Sequence, residues 1–390
     1  MWPIQKLTLK KEVPAIHKKR WGVSFAIVIS VVLFFYKLIE VMALSDVFYD
    51  FWCAISIFLI VFFLLLLSLR CYKYGLDLVH HEAWMKESGL IEKKWRAWAS
   101  KSLLMVDHEL LLPGKINKTK KVTGEHQPVV KGQEVTFNPS NINSITYQSV
   151  LQELLFALRG RFQELIQSFN FEVVFIKNPD LTSWDDFKQS WKLMGLPIEK
   201  LSGYVFTVDA YHNQLSRLLE SQRCTTLTIL ISICLVSEGN LKGIRTESGC
   251  VFIFSNEEGV DFKYRVCNGR IFRPLFVNEM DVRKGLSDLI NYQPVSSGVE
   301  GFYLSNIDEE RSGDLVVQLN DAFTSKKTGG KSYVKDIDLT SGNLDVWAVM
   351  SLSALYIETN KKTGLVSYGE KNGITFNIIT PYKGCEGAAL

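Results

Sequence analysis

Residues Tyr204–Leu235 read YVFTVDAYHNQLSRLLESQRCTTLTILISICL. GYVFTVD (Gly203 to Asp209) has the β-branched and aromatic content of a strand, and Tyr211 to Ser221 follows as a helix. Thr225 to Val236 is apolar and β-branched with little alternation, the pattern of a central strand buried on both faces. Strand, helix and buried strand in succession predict an α/β domain with a mainly parallel sheet.

The same alternation extends on both sides of this stretch. Upstream, Val150, Leu151, Leu154, Leu155, Leu158, Phe162 and Leu165 recur at helical spacing before the strand FEVVFIK (Phe171 to Lys177). A short helix, Asp185 to Met194, is capped by Ser183. Downstream come strands CVFIF (Cys250 to Phe254), FKYRV (Phe262 to Val266) and GFYLSNI (Gly301 to Ile307), with helices at Glu279 to Asn291 and Gly313 to Phe323. LDVWAVMSLSALYIE (Leu344 to Glu358) is a strongly apolar helix, and TGLVSYG (Thr363 to Gly369) with GITFNIIT (Gly373 to Thr380) forms a closing hairpin. Each half ends in two consecutive strands, 225–236 with 249–255 and 363–369 with 373–380, which marks a weak internal repeat. The buried strands are expected to include Val205, Ile229, Ile231, Phe252 and Ile378.

The N-terminal part has a different character. Trp21 to Tyr36 carries no charge, and the apolar run resumes beyond Lys37 to Leu44; Phe51 to Leu69 is a second uncharged stretch. Each suffices to cross a hydrocarbon core of roughly 30 Å as a helix. Lys37 and Glu40, one turn apart, can pair or snorkel to the interface. Basic residues flank the pair of spans: Lys6, Lys10, Lys11, Lys18, Lys19 and Arg20 before, then Arg70, Lys73, Lys86, Lys93, Lys94, Arg96 and Lys101 after. The connecting loop holds Asp46 and Asp50 and no base, so both termini are expected in the cytoplasm of a bacterium, at its inner membrane. The expected division is a two-helix hairpin at 1–70 (spans about 21–44 and 51–69), an amphipathic juxtamembrane helix and linker at 71–142, and a cytosolic α/β domain at 143–390. Trp95 and Trp98 suit either the headgroup level or packing on the globular domain.

Composition narrows the function. With 44 Lys and Arg against 41 Asp and Glu in 390 residues, the chain is no dedicated nucleic-acid binder. Seven cysteines without a CxxC pair are neither a disulfide framework nor a zinc site, and in a reducing compartment they stay thiols.

The duplicated order resembles the thiolase-like fold of the ketoacyl synthases and thiolases, over roughly 150–385. Tyr204 to Leu235 is similar to that family's strand, nucleophile turn, helix and central strand; Leu241 to Ser255 is similar to its return through a basic residue and a glycine; Gly342 to Thr380 resembles its apolar helix and terminal hairpin. Where the resemblance implies a nucleophilic cysteine just after V-D-x-A, this chain has Ala210, Tyr211, His212 and Asn213, and the nearest thiol, Cys224, falls a helix later. The family also implies one or two histidines in the second half, and none follows His212. The resemblance therefore implies a catalytically silent domain, not an enzyme, with no cofactor and no catalytic or metal-ligating residue.

Other motifs carry less. His80-His81-Glu82 places its imidazoles about 100° apart on a helix and chelates poorly. Gly330-Lys331-Ser332 lacks the first glycine of a phosphate loop, since Ser325 stands there. Gly285-Leu286-Ser287-Asp288 lacks the second glycine of a nucleophile elbow. Asp185-Asp186 and Glu257-Glu258 belong to a helix start and a turn.

Asp209, Tyr211, His212 and Asn213 are the candidate cleft residues, at the carboxyl end of a parallel strand where ligands of open α/β sheets bind. Trp184, Trp191, Arg217 and Arg223 are candidate interaction residues, of types enriched at binding hot spots. The functional expectation is an accessory or adaptor protein that binds membrane lipid and a protein partner, or itself as a homo-oligomer. Its thiolase-like resemblance extends to adaptors of type VI secretion. An acyl-transfer or lipid-metabolism enzyme at the membrane and an immunity or defence protein are the alternatives. The topology is directly testable: in a chain without native thiols, a cysteine replacing Ser45 should react with impermeant maleimide on intact spheroplasts, and one replacing Ser325 should not. The reverse pattern would place the α/β domain outside.

Overall fold

The computed structural model describes residues 2–4, 10–41, 46–113, 116–117, 135–137, 146–176, 181–221, 226–235, 246–256, 267–324, 333–338 and 344–382. The chain forms two compact units, residues 4–94 and residues 1–3 with 95–390.

The first unit is built on two helices, α1 (Lys18–Val41) and α2 (Asp46–Ala99), each long and apolar enough to cross a membrane. Aromatic contacts join them: Phe63 packs on Trp21 and Phe25 with ring centroids 5.7 and 5.3 Å away, and Trp52 on Phe35 at 4.8 Å. Lys37 and Glu40 do pair, at 2.7 Å. The expected juxtamembrane helix is the continuation of the second span in one unbroken α2.

In the second unit, β1 (Ser102–Leu112), β2 (Ile116–Asn117), α3 (Tyr147–Ala157), α4 (Arg159–Leu165), β3 (Asn170–Ile176), α5 (Leu181–Leu193), β4 (Leu201–Thr207), α6 (Tyr211–Glu220), β5 (Thr226–Cys234) and β6 (Ser248–Asn256) make the first half. The second half is β7 (Gly269–Phe272), β8 (Leu275–Asn278), α7 (Val282–Tyr292), β9 (Val299–Ser305), α8 (Glu309–Thr324), β10 (Tyr333–Asp336), α9 (Val346–Asn360), β11 (Thr363–Glu370) and β12 (Gly373–Pro381). The strands run β10-β9-β11-β12-β7-β1-β6-β5-β3-β4 across one sheet. Both halves therefore have the same internal order, third-second-fourth-fifth-first: β4-β3-β5-β6-β1 and β10-β9-β11-β12-β7. In each, four strands run one way and the fifth, β6 or β12, runs against them. The antiparallel pair β1–β7 joins the halves.

That junction corrects the expected domain boundary. SLLMVDHELLL (102–112) fell between an expected helix and an expected linker, yet it is a strand buried on both faces at the middle of the sheet. The globular unit thus begins near residue 95 and not at 143. Trp98 also belongs to it, edge-on to Trp95 and Trp2 at 5.5 and 5.9 Å, with the Arg273 guanidinium over its ring at 4.0 Å. Ser183 lies inside α5 and not at its cap, β2, β7, β8 and β10 are additional short strands, and the expected strand Phe262–Val266 lies outside the described residues.

The sheet separates two cores. Leu103, Met105, Phe252 and Phe254 face one cluster with α6 and α9; Leu104, Val106, Val251 and Ile253 face the other with α3, α4 and α5. This is the period of two read on paired strands. Helix α9 is buried along nearly its whole length and packs on β1 and β6 of the first half and β11 and β12 of the second.

Ile229, Ile231, Phe252 and Ile378 are buried as expected, whereas Val205 is 41% exposed. The reason is position: β4 is the edge strand and pairs on one side only. Ile231→Ala should therefore cost about 2–5 kcal/mol by transfer and cavity terms, and Val205→Ala under about 1 kcal/mol. Equilibrium urea unfolding of the detergent-solubilised chain measures both, and equal losses would contradict the edge placement.

Candidate functional site

The turn between β4 and α6 is held by its own polar groups. The Thr207 hydroxyl donates to Asp209 Oδ2 at 3.2 Å, and Arg217 pairs with the same oxygen at 2.6 Å. The Gln214 amide donates to the Asp209 carbonyl at 2.6 Å and accepts from the Trp347 indole at 2.8 Å. Asp209 is thus engaged within its own turn, and Arg217, exposed, is its counter-ion. Asn213 is exposed on the first turn of α6.

Tyr211 and His212 face other elements. Tyr211 is buried, its ring edge-on to Trp347 at 4.8 Å, and its hydroxyl has no hydrogen-bond partner among the described residues. His212 lies flat on Phe276 of β8 at 4.9 Å, and its Nδ1 is 3.6 Å from Glu370 Oε1 at the end of β11. The pair is accessible, with side chains 25% and 21% exposed. Thr375 donates its hydroxyl to the same Glu370 oxygen. The sequence reading set His212 beside Asp209; in the fold its acidic partner is Glu370, on the far half.

A second polar network closes the strand ends of that half. Asp338, just beyond β10, accepts from the Ser305 hydroxyl at 2.7 Å and from the Asn306 N–H at 2.6 Å. Asn306 has φ +55°, a left-handed conformation that asparagine tolerates, and its side chain donates to the Gly369 carbonyl at 2.6 Å. A Cβ on Gly369 would collide with the Asn306 carbonyl, so only glycine fits there. Asp345 caps α9 by accepting from the Trp347 N–H at 3.2 Å and also accepts from the Ser232 hydroxyl of β5 at 3.1 Å, tying the halves together. Burial pushes the Tyr368 hydroxyl far above its ordinary value of 10.0, and the carboxylates of Asp345, Asp338 and Glu370 push it further. Tyr211 is raised well above the same value by burial first and Glu370 second.

The site therefore collects Tyr211 and His212, just beyond the carboxyl end of β4, with Tyr368 and Glu370 at the carboxyl end of β11 and Thr375 near the start of the antiparallel β12. Glu370, Tyr368, Asn306 and Asp338 were not read from the sequence. Asn306 and Glu370 carried a signal as polar residues at the ends of expected strands, whereas Asp338 follows β10, a strand that was not expected. Among the described residues there is no group of three or more His, Cys, Asp or Glu able to hold a metal ion.

The candidate interaction residues separate. Trp191 is fully buried among Phe162, Phe171 and Phe187 and is a core residue, not a docking anchor. Trp184 is half-buried between Tyr204 and Phe187, with Lys188 over its ring. Arg223 and Cys224 lie outside the described residues.

No family model matches the chain, and no curated protein matches its sequence. Solved structures do. A ketosynthase domain of the oxazolomycin system of Streptomyces albus superposes with a TM-score of 0.50 at 10% identity, covering 73% of this chain and 96% of the other. A ketosynthase of the bacillaene synthase of Bacillus subtilis gives 0.48 at 9% identity, covering 72% and 71%. The 3-oxoacyl-[acyl-carrier-protein] synthase III of Aquifex aeolicus gives 0.44 at 10%, covering 71% and 99%. The fold is thiolase-like. This likeness corrects the expectation that the chain is not an enzyme: the matching ketosynthase domain carries the same fold in an enzyme. The missing cysteine excludes one nucleophile at one turn and does not exclude catalysis.

The two raised tyrosines give a pH prediction. A group whose pKa is higher in the folded than in the unfolded state adds stability that is complete below the unfolded value and is lost as pH rises above it. Tyr211 and Tyr368 should each withdraw about 1.4 kcal/mol per pH unit above roughly pH 10. Thermal melts from pH 9 to 11 should fall more steeply for the native chain than for Y211F/Y368F; parallel curves would contradict the burial of these hydroxyls.

Proposed function

We propose that this chain is a membrane-held enzyme of acyl or lipid metabolism, with both termini cytoplasmic, in which His212 is the general base and Glu370 orients it. The observation that carries this reading is the His212–Glu370 pair, accessible at the strand ends, next in the chain to a buried tyrosine whose hydroxyl lacks a partner among the described residues. A base held by a carboxylate is the arrangement that activates an attacking hydroxyl or water. With Nδ1 turned to Glu370, Nε2 is the nitrogen left to take a proton. The separation of 3.6 Å is longer than a hydrogen bond, and such pairs often tighten only when substrate binds.

The chemistry follows from the groups present. Water or an acceptor alcohol attacks the acyl carbonyl while its proton moves to His212 Nε2. The negative charge on the carbonyl oxygen is met by hydrogen-bond donors, for which the Tyr211 hydroxyl and the first N–H groups of α6 are available. When the carbonyl re-forms, the leaving thiolate or alkoxide recovers the proton from His212. No thioester to the protein is required, which suits a turn that carries Tyr211. Two helices able to span a bilayer support the membrane setting, since long acyl chains partition there. The basic flanks and acidic loop support the cytoplasmic placement of both termini. No contact or surface among the described residues favours a secretion accessory, an adaptor or an immunity role.

The test uses the full chain in liposomes with a long-chain acyl-CoA, following release of free thiol. His212→Ala and Glu370→Gln should each lower turnover by about 10²-fold or more. An H212A chain that turns over at the native rate would overturn the assignment, as would the absence of turnover in the native chain across acyl-CoA, acyl carrier protein and phospholipid donors.

A further inference from the structure

A pocket lies at the other end of α9. The helix has 15 residues, so Asn360 stands roughly 21 Å along its axis from the Val346 end that faces the site above. Tyr303 of β9, Tyr333 and Lys335 of β10, Tyr356 and Asn360 of α9, and Lys362 line a cavity of about 330 Å³.

The sequence makes room for it at two glycines. Tyr333 pairs with Gly301 across the β10–β9 ladder, and a Cβ on Gly301 would stand 2.5 Å from the tyrosine Cζ. A Cβ on Gly364 of β11 would stand 2.6 Å from Tyr303 Cε2. The rings can lie over their neighbouring strands only because both positions lack a side chain. Tyr303 and Tyr333 share a hydrogen bond between hydroxyls at 2.5 Å, and Tyr356 stacks parallel to Tyr303 with centroids 6.1 Å apart.

Lys335 is the cation of this pocket. Its ammonium sits 3.2 Å from the centroid of the Tyr356 ring, and no carboxylate lies within ion-pair distance of it among the described residues. Asp336, next in the chain, accepts instead from the Asp338 N–H at 2.9 Å. Glu300 is taken by Lys362 at the rim, 3.1 Å away. Burial lowers the pKa of Lys335. A half-buried ammonium against an aromatic face is stabilised in part by the ring quadrupole, and an anion would complete its neutralisation.

We propose that this tyrosine-lined pocket binds a small organic anion, a phosphate or carboxylate carried on a flat body, with the anion on Lys335 and the body against the tyrosines. A volume of about 330 Å³ is at the small end of ligand pockets, which suits a single ring with its anionic group. Asn360 lines the same cavity and adds an amide group to it. The site is separate from the His212–Glu370 pair and stands whether or not that pair is catalytic.

The probes are phenyl phosphate, benzoate, inorganic phosphate and neutral benzyl alcohol, titrated calorimetrically into the full chain in detergent. Phenyl phosphate or benzoate should bind at least tenfold more tightly than benzyl alcohol, and the affinity should fall as salt is raised. Tighter binding of phenyl phosphate than of inorganic phosphate shows that the rings contribute. Lys335→Met, which keeps the aliphatic stem, should weaken anion binding at least tenfold, while Lys335→Arg should restore most of it. The native-chain comparisons need no variant and hold even where K335M fails to fold. Equal binding of charged and neutral probes, no binding at millimolar concentration, or native affinity in a folded K335M would overturn the proposal.

Discussion

A helix that is apolar on every side must be covered on every side, and α9 is such a helix. Val346 to Ile357 buries residues around its full circumference, including Trp347, Met350 and Leu355. Strands of one half alone reach only part of it. The two halves meet that demand together: β11 and β12 from one, β1 and β6 from the other. The duplication is therefore a packing requirement as well as a repeat. The β1–β7 pair, which joins the halves into one sheet, holds the covering strands around the helix.

The placement of the functional groups follows from that arrangement. Because α9 lies between the halves, its N-terminus and the N-terminus of α6 come to the same region, and Trp347 bridges them through Tyr211 and Gln214. Glu370 ends the strand that covers α9 from the second half, so it reaches His212 on the first. The other end of the same helix carries Tyr356 and Asn360, around which the glycine-opened pocket forms. One buried helix thus organises two chemically different sites.

Much of this was legible in the sequence. LTILISIC announces a strand buried on both faces, GITFNIIT a strand of the closing hairpin, and LDVWAVMSLSALYIE a strongly apolar helix. The repeat of closing strand pairs was visible for the same reason. What escaped is equally physical. SLLMVDHELLL has both the length of a strand and the apolar spacing of a short helix, and it adjoins a long helix, so periodicity alone does not separate the two. Val205 has the composition of a core strand but sits on an edge, which depends on pairing partners that composition does not reveal. At the site, the neighbour in sequence misled: Asp209 is three residues from His212 but bonds within its own turn, while Glu370 is brought in from the opposite half. A contact set by long-range topology leaves no local signature.

The central claim is that His212 and Glu370 act as one catalytic unit. A double-mutant cycle on acyl-CoA turnover by the full chain in liposomes tests it most directly, using H212A, E370Q and the combined variant. Residues that act as a unit are non-additive. The account predicts that the double variant is no slower than H212A alone, because a carboxylate has nothing left to orient once the imidazole is gone. Losses that multiply, with the double variant slower by the product of the two single effects, would show that the residues act independently and would contradict it.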